Sequence, residues 1–232
     1  MAWERLVLCV SREARGLGVD AAYGFAWGEP PSGYPEGLSR LMEEVVERVR
    51  GRYGDASALT RDPVVQAYRR FYWRIGIDPT KTRPSGEALA RRILRRGGLP
   101  RIHPIVDIGN VVSAETLVPI GIYDLDHATP PFRIVLSRGG EVFHPIGGSE
   151  KVLGRGVPVL VDSRGVVMHI YPYRDSRETM VRETTGRVMV VAAGVPGVPW
   201  GLVERAARLV LQYLRDLLGF EATDVRRAET CS

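Results

Sequence analysis

Apolar positions in the first hundred residues recur at three- and four-residue intervals. Leu38, Leu41, Met42, Val45, Val46 and Val49 mark one face of an amphipathic helix that Gly51 and Gly54 should end. A second helix is predicted from Asp62-Pro63, an N-cap residue followed by a first-turn proline. It continues through Val64, Tyr68, Phe71, Tyr72 and Ile75 and stops at Gly76. Its aromatics at helical spacing read as packing. A third carries Ala88, Leu89, Ile93 and Leu94 up to Gly97-Gly98, and a closing helix runs from Leu202 to Leu217 with Gly219 as its cap.

Short apolar or alternating runs predict strands at 6–10, 22–27, 103–108, 120–126, 133–136, 141–143, 157–162, 166–171 and 187–192. A short helix is expected at 110–116, and Gly139-Gly140, Gly147-Gly148 and Ser163-Arg164-Gly165 supply turns. The last dozen residues read as loose. The fold class is therefore α+β. Residues 1–60 form a βα elaboration, 61–200 a mixed-sheet body and 201–232 a helix and tail, together as one unit.

Residues 77–87 connect the second and third helices. Pro79 and Pro84 stiffen the path and push Asp78 and Arg83 into extended geometry. The segment should present Asp78, Lys81, Arg83 and Ser85 from a defined backbone, although Asp78, Thr82 and Ser85 equally suit turn caps.

Composition changes the picture in one respect. The net charge is +5 with a pI near 9.5, and only Lys81 and Lys151 are lysines. Arginine suits phosphate, which favours a nucleic-acid partner, and a GC-rich coding bias gives the same excess. Asn110 is the only asparagine, and Gln66 and Gln212 are the only glutamines, a scarcity that fits a thermophilic source. No apolar run approaches a membrane span and no signal-peptide plan opens the chain, so a cytoplasmic location is expected. Cys9 and Cys231 suggest no disulfide framework. His103, His127, His144 and His169 show no ligand spacing, so neither a metal nor a cofactor is expected.

The serine-elbow, phosphate-loop and dinucleotide motifs are absent. Polar groups gather at strand ends: Asn110, Ser113, Tyr123, Asp124, Asp126, Glu141, Asp162 and the run from Arg174 through Asp175 and Ser176 to Thr179. Such a set can hold an ammonium group and position a water. Arg91, Arg92, Arg95 and Arg96 crowd one side of the third helix, and a phosphate backbone would relieve their repulsion.

The run from Tyr68 to Leu89, with Arg83-Pro84-Ser85-Gly86-Glu87-Ala88-Leu89 at its end, resembles the B3/B4 domain family, named for the β subunit of phenylalanyl-tRNA synthetase. Val106-Asp107-Ile108-Gly109-Asn110, Tyr123-Asp124-Leu125-Asp126, Gly140-Glu141, Arg174-Asp175-Ser176 with Thr179, and Thr184-Thr185 extend the likeness over residues 60 to 200. The resemblance implies an editing module that hydrolyses the ester of mischarged aminoacyl-tRNA, here in trans because the chain has no aminoacylation body. It implies Glu141 or Asp124 as the residue that positions water or recognises the amino group. Asn110, Ser113, Tyr123, Asp126, Asp175, Ser176 and Thr179 would bind substrate. Lys81, Arg83, Arg91, Arg92, Arg95 and Arg96 would hold tRNA. A non-enzymatic tRNA- or RNA-binding module and an amino-acid-binding protein are the competing readings. Gly86 departs from the family pattern, with an expected effect only on the helix start.

Overall fold

Two eight-residue strands, Asp20–Trp27 and Arg187–Gly194, pair antiparallel along their full length, and most of the chain is laid against their two faces. The computed structural model describes residues 7–231. In chain order its elements begin with β1 (Leu8–Val10), α1 (Arg12–Gly16), β2 (Asp20–Trp27), α2 (Glu36–Arg52), α3 (Ala56–Arg61), α4 (Pro63–Arg74), α5 (Ser85–Arg96) and α6 (Pro104–Thr116). There follow β3 (Ile120–Asp124), β4 (Phe132–Leu136), β5 (Val142–Phe143), β6 (Lys151–Val152), β7 (Pro158–Val161), β8 (Val167–Ile170), β9 (Arg174–Asp175) and β10 (Arg187–Gly194). The chain ends with α7 (Trp200–Leu218), β11 (Glu221–Ala222), β12 (Arg226–Arg227) and β13 (Glu229–Thr230).

One sheet has the order β13-β1-β4-β7-β8-β9. The other runs β11-β2-β10-β3, with β12 also on β2, and β5 and β6 form a separate hairpin. Strand alternation assigns the layers. Ala21, Tyr23 and Phe25 with Met189, Val191 and Ala193 face the first sheet and α4. Ala22 and Ala26 with Val188, Val190 and Ala192 face α2, α5, α6 and α7. The aromatic stripe of α4 is packing: Tyr68, Phe71 and Tyr72 are buried between the layers, each contributing about 1.5–3 kcal/mol. The Tyr68 hydroxyl donates to the Ala193 carbonyl at 2.6 Å. The stripe of α7 is likewise core, with Val203, Ala206, Val210 and Leu214 buried.

The α+β class, the four long helices and the principal strands follow the sequence pattern, and four features do not. Residues 103–108 are not a strand. His103 is the N-cap, Pro104 the first residue, and α6 continues unbroken to Thr116. A short apolar run does not separate strand from buried helix, and the proline after a capping residue was the overlooked signal. Gly51 does not end α2, which reaches Arg52.

Residues 221–230 are not loose. Three two-residue strands pair with β2 and β1. Cys9 and Cys231 form a disulfide that ties the strand next to each terminus, contrary to the sequence expectation. Their separation of 222 residues hides the pair from any spacing rule. Leu6, placed in the first strand by its pattern, lies outside the described residues.

Gly86 also matters beyond the start of α5. A Cβ there would stand 2.5 Å from the Leu117 carbonyl oxygen, so only glycine lets α5 approach the end of α6 this closely. No described helix is long and apolar enough to cross a membrane.

Candidate active site

Four segments distant in sequence line a small cavity of about 40 Å³, with Val191 and Ala193 of β10 on one side. Ser85 enters from the first turn of α5, Gly121 and Tyr123 from β3, and His169, Tyr171, Tyr173 and Asp175 from β8 and its return through β9. The pairing of β8 with β9 places His169 opposite Asp175, which puts their side chains on one face.

His169 Nδ1 lies 2.8 Å from an Asp175 carboxylate oxygen. The ring is only 8% exposed and is held edge-on by Tyr123 and Tyr171, each with its centroid 6.1 Å away. Nε2 makes no hydrogen bond to any described residue. Burial, and then the charge and hydrogen bond of Asp175, raise the Tyr123 phenol well above its ordinary range, so it stays a neutral donor. Gly121 makes room for that phenol, because a Cβ there would overlap the Tyr123 hydroxyl. Ser85 Oγ is buried without a partner, and the helix it opens has no side-chain cap.

Of the strand-end polar residues proposed from the sequence, Tyr123 and Asp175 line this cavity and the others lie outside it. Asp124 is 1% exposed. It accepts from the Asp126 amide at 2.8 Å, His127 at 2.9 Å and the Thr185 hydroxyl at 2.9 Å, with Arg182 at 3.6 Å. Its carboxylate buttresses the loop after β3. Glu141 closes the turn before β5, accepting from the amides of Arg138 at 2.6 Å and Gly139 at 2.9 Å. Partial burial pushes its carboxyl up, and those amide bonds outweigh this and hold it below the usual value.

Asp126 pairs with exposed Arg187. Asn110 reaches Asp107 within α6 at 3.5 Å. Ser176 accepts from the Glu178 amide at 3.2 Å. Ser113 and Thr179 are buried outside the cavity lining, their hydroxyls unpaired. Sequence reasoning missed His169, Tyr171 and Tyr173. The available signal was a histidine inside the apolar run Val166-Val167-Met168-His169-Ile170.

The arginines of α5 divide. Arg91 is not free: its Nε lies 2.8 Å from Glu87, and it also bonds Thr60. Glu87 is 1% exposed and takes Arg69 Nε at 2.8 Å as well, with Arg83 3.9 Å away. Burial pushes the Glu87 carboxyl up; the bonds from Arg69 and Arg91 more than offset this and leave it below its ordinary value. Arg95 and Arg96 are exposed and unpaired among the described residues. With Arg83, Arg92 and Pro100 they line an open groove of about 510 Å³. Lys81 stands exposed in the turn that Asp78 closes by accepting from the Thr80 amide at 2.8 Å. One helix thus has the small cavity at its start and a basic groove along its later turns.

The body is a two-sheet α+β domain in which a largely buried histidine meets a half-exposed aspartate. The chain belongs to the B3/4 domain family, whose model matches residues 67–219. It is 36% identical over 69 residues to the phenylalanine–tRNA ligase β subunit of Legionella pneumophila (strain Lens), which is 30% of this chain and 9% of that protein. To the β subunit of Bartonella henselae it is 32% identical over 96 residues, 41% of this chain and 12% of that one. The matched stretches thus span about a tenth of those relatives. The crystal structure of an N-terminal fragment of the phenylalanyl-tRNA synthetase β subunit from Pyrococcus horikoshii has the same fold. It superposes with a TM-score of 0.52 at 16% identity, covering 94% of this chain and 50% of that one.

Proposed function

We propose that this protein hydrolyses the ester of mischarged aminoacyl-tRNA in trans, with His169 as general base. The observation that carries the reading is the His169–Asp175 pair, which lines a small cavity of a B3/4 domain and leaves Nε2 without a hydrogen bond to any described residue. An imidazole whose Nδ1 is held by a carboxylate is fixed in one tautomer and one orientation. Its Nε2 can then take a proton from water as the water adds to an ester carbonyl. The same imidazolium returns the proton to the departing ribose oxygen.

At about 40 Å³ the cavity holds a water rather than an amino-acid side chain, so the ester lies at its mouth. The exposed guanidinium groups of Arg95 and Arg96, with Arg83 and Lys81, would carry the acceptor-stem phosphates. Similarity to phenylalanine–tRNA ligase β subunits supports tRNA as the macromolecular partner.

The test is release of amino acid from a panel of correctly and incorrectly charged tRNAs, with Asp175→Asn alongside. Selective release that the variant loses supports the reading. Salt-sensitive tRNA binding with no release from any member would replace it with a binding module.

A further inference from the structure

We propose that Ser85 is the positioning residue that seats the attacking water against His169. The catalytic part of this proposal rests on the deacylase reading, whereas the water seat does not. Ser85 is the first residue of α5, where a serine ordinarily has nothing to bond, because the capping position is one residue earlier and is taken by Pro84. Its Oγ is nevertheless turned inward and buried, with no protein partner. A buried hydroxyl left in that state costs about 1–3 kcal/mol, so the fold alone gives no reason for a serine here.

The same cavity is lined by His169, whose Nε2 makes no hydrogen bond to any described residue. Because Nδ1 donates to Asp175, the neutral ring presents Nε2 as an acceptor. A residue whose hydroxyl can donate and one whose imidazole nitrogen can accept therefore line one cavity of about 40 Å³. A cavity of this kind needs only about 10–15 Å³ to hold a water. Such a water accepts from Ser85 Oγ and donates to His169 Nε2, and its remaining lone pair faces the carbonyl carbon.

As that lone pair forms the new C–O bond, the proton passes to Nε2. The bond to the ribose oxygen then breaks, and the ribose oxygen takes the proton from the imidazolium. The products are a free amino acid and an uncharged tRNA, with no covalent intermediate on the protein.

A high-resolution crystal structure of the wild-type protein should show a water within hydrogen-bond distance of both Ser85 Oγ and His169 Nε2, and Ser85→Ala should lack it. Misplacing a reacting group by about 1 Å costs on the order of 100-fold. Ser85→Ala should accordingly lower kcat on a mischarged tRNA about 100-fold with KM unchanged and the limbs of the pH profile unmoved. Ser85→Thr, which keeps the hydroxyl, should restore most of the rate.

Absence of the water in the wild type overturns the proposal, and so does full activity of Ser85→Ala. Mass-spectrometric trapping of an acyl group on Ser85 would overturn it in favour of the serine as nucleophile. A wild-type protein that releases nothing from any charged tRNA would sink the deacylase reading, and the crystallographic water would then decide the seat alone.

Discussion

His169 and Asp175 face each other across the β8–β9 pairing, with Nδ1 2.8 Å from the carboxylate, and this bond fixes which ring nitrogen can act as a base. Losing the partner that sets a catalytic tautomer typically costs 10²–10⁴ in rate. Asp175→Asn should therefore reduce release of amino acid from a mischarged tRNA by about 10²- to 10⁴-fold, with binding of the tRNA retained. Glu141→Ala is the informative control. It removes a turn closure of about 1 kcal/mol and should leave the rate within a few-fold, so a loss of activity as deep as that of Asp175→Asn would contradict the assignment.

The Glu87 carboxylate joins α5 to α4 through Arg69 and also holds Arg91 of its own helix. Removing one partner of a buried ion pair costs about 3–5 kcal/mol, and Glu87→Ala should lower the urea midpoint accordingly. Folding holds this carboxyl below its ordinary 4.5. The contribution is therefore fully present above that pH and is lost as pH falls through the lowered folded value. Wild-type stability measured from pH 7 to pH 3 should fall more steeply at the acid end than that of Glu87→Gln.

Gly86→Ala places a methyl against the Leu117 backbone, which cannot move aside as a flexible side chain would. Overpacking of this kind costs about 1–3 kcal/mol. Thermal unfolding should report the loss, whereas Gly201→Ala, which meets nothing within 4 Å, should leave the midpoint unchanged.

The disulfide between Cys9 and Cys231 holds the C-terminal strands on β1 and β2. A crosslink closing so long a loop typically stabilises by about 2–4 kcal/mol. Dithiothreitol, or Cys231→Ser, should lower the unfolding midpoint. Unchanged stability in reductant would show that the crosslink contributes nothing.

Binding of tRNA through the α5 groove should weaken steeply with salt. Each phosphate contact removed lowers the slope of log K against log salt by about 1. Arg95→Ala with Arg96→Ala should flatten it by about 2, whereas Arg91→Ala should chiefly destabilise the fold because that side chain belongs to Glu87.

By itself the sequence determined what depends on neighbours a few residues apart. The stripes of α2, α4, α5 and α7 recur at helical spacing, and the alternation in β2 and β10 sorts their side chains between two layers. The likeness of residues 68–89 and the later blocks pointed to the family. Which polar groups meet was decided only by tertiary structure. Strand-end carboxylates look alike in a sequence, yet the folded chain gives Asp124 the distant Thr185 hydroxyl, turns Glu141 onto its own loop and sets Asp175 against His169. Ser85 and Tyr123 join them because α5, β3 and β8 converge, and Gly86 permits α5 to pack at that distance from α6. A pairing register brings distant residues to one place, and no local pattern records it.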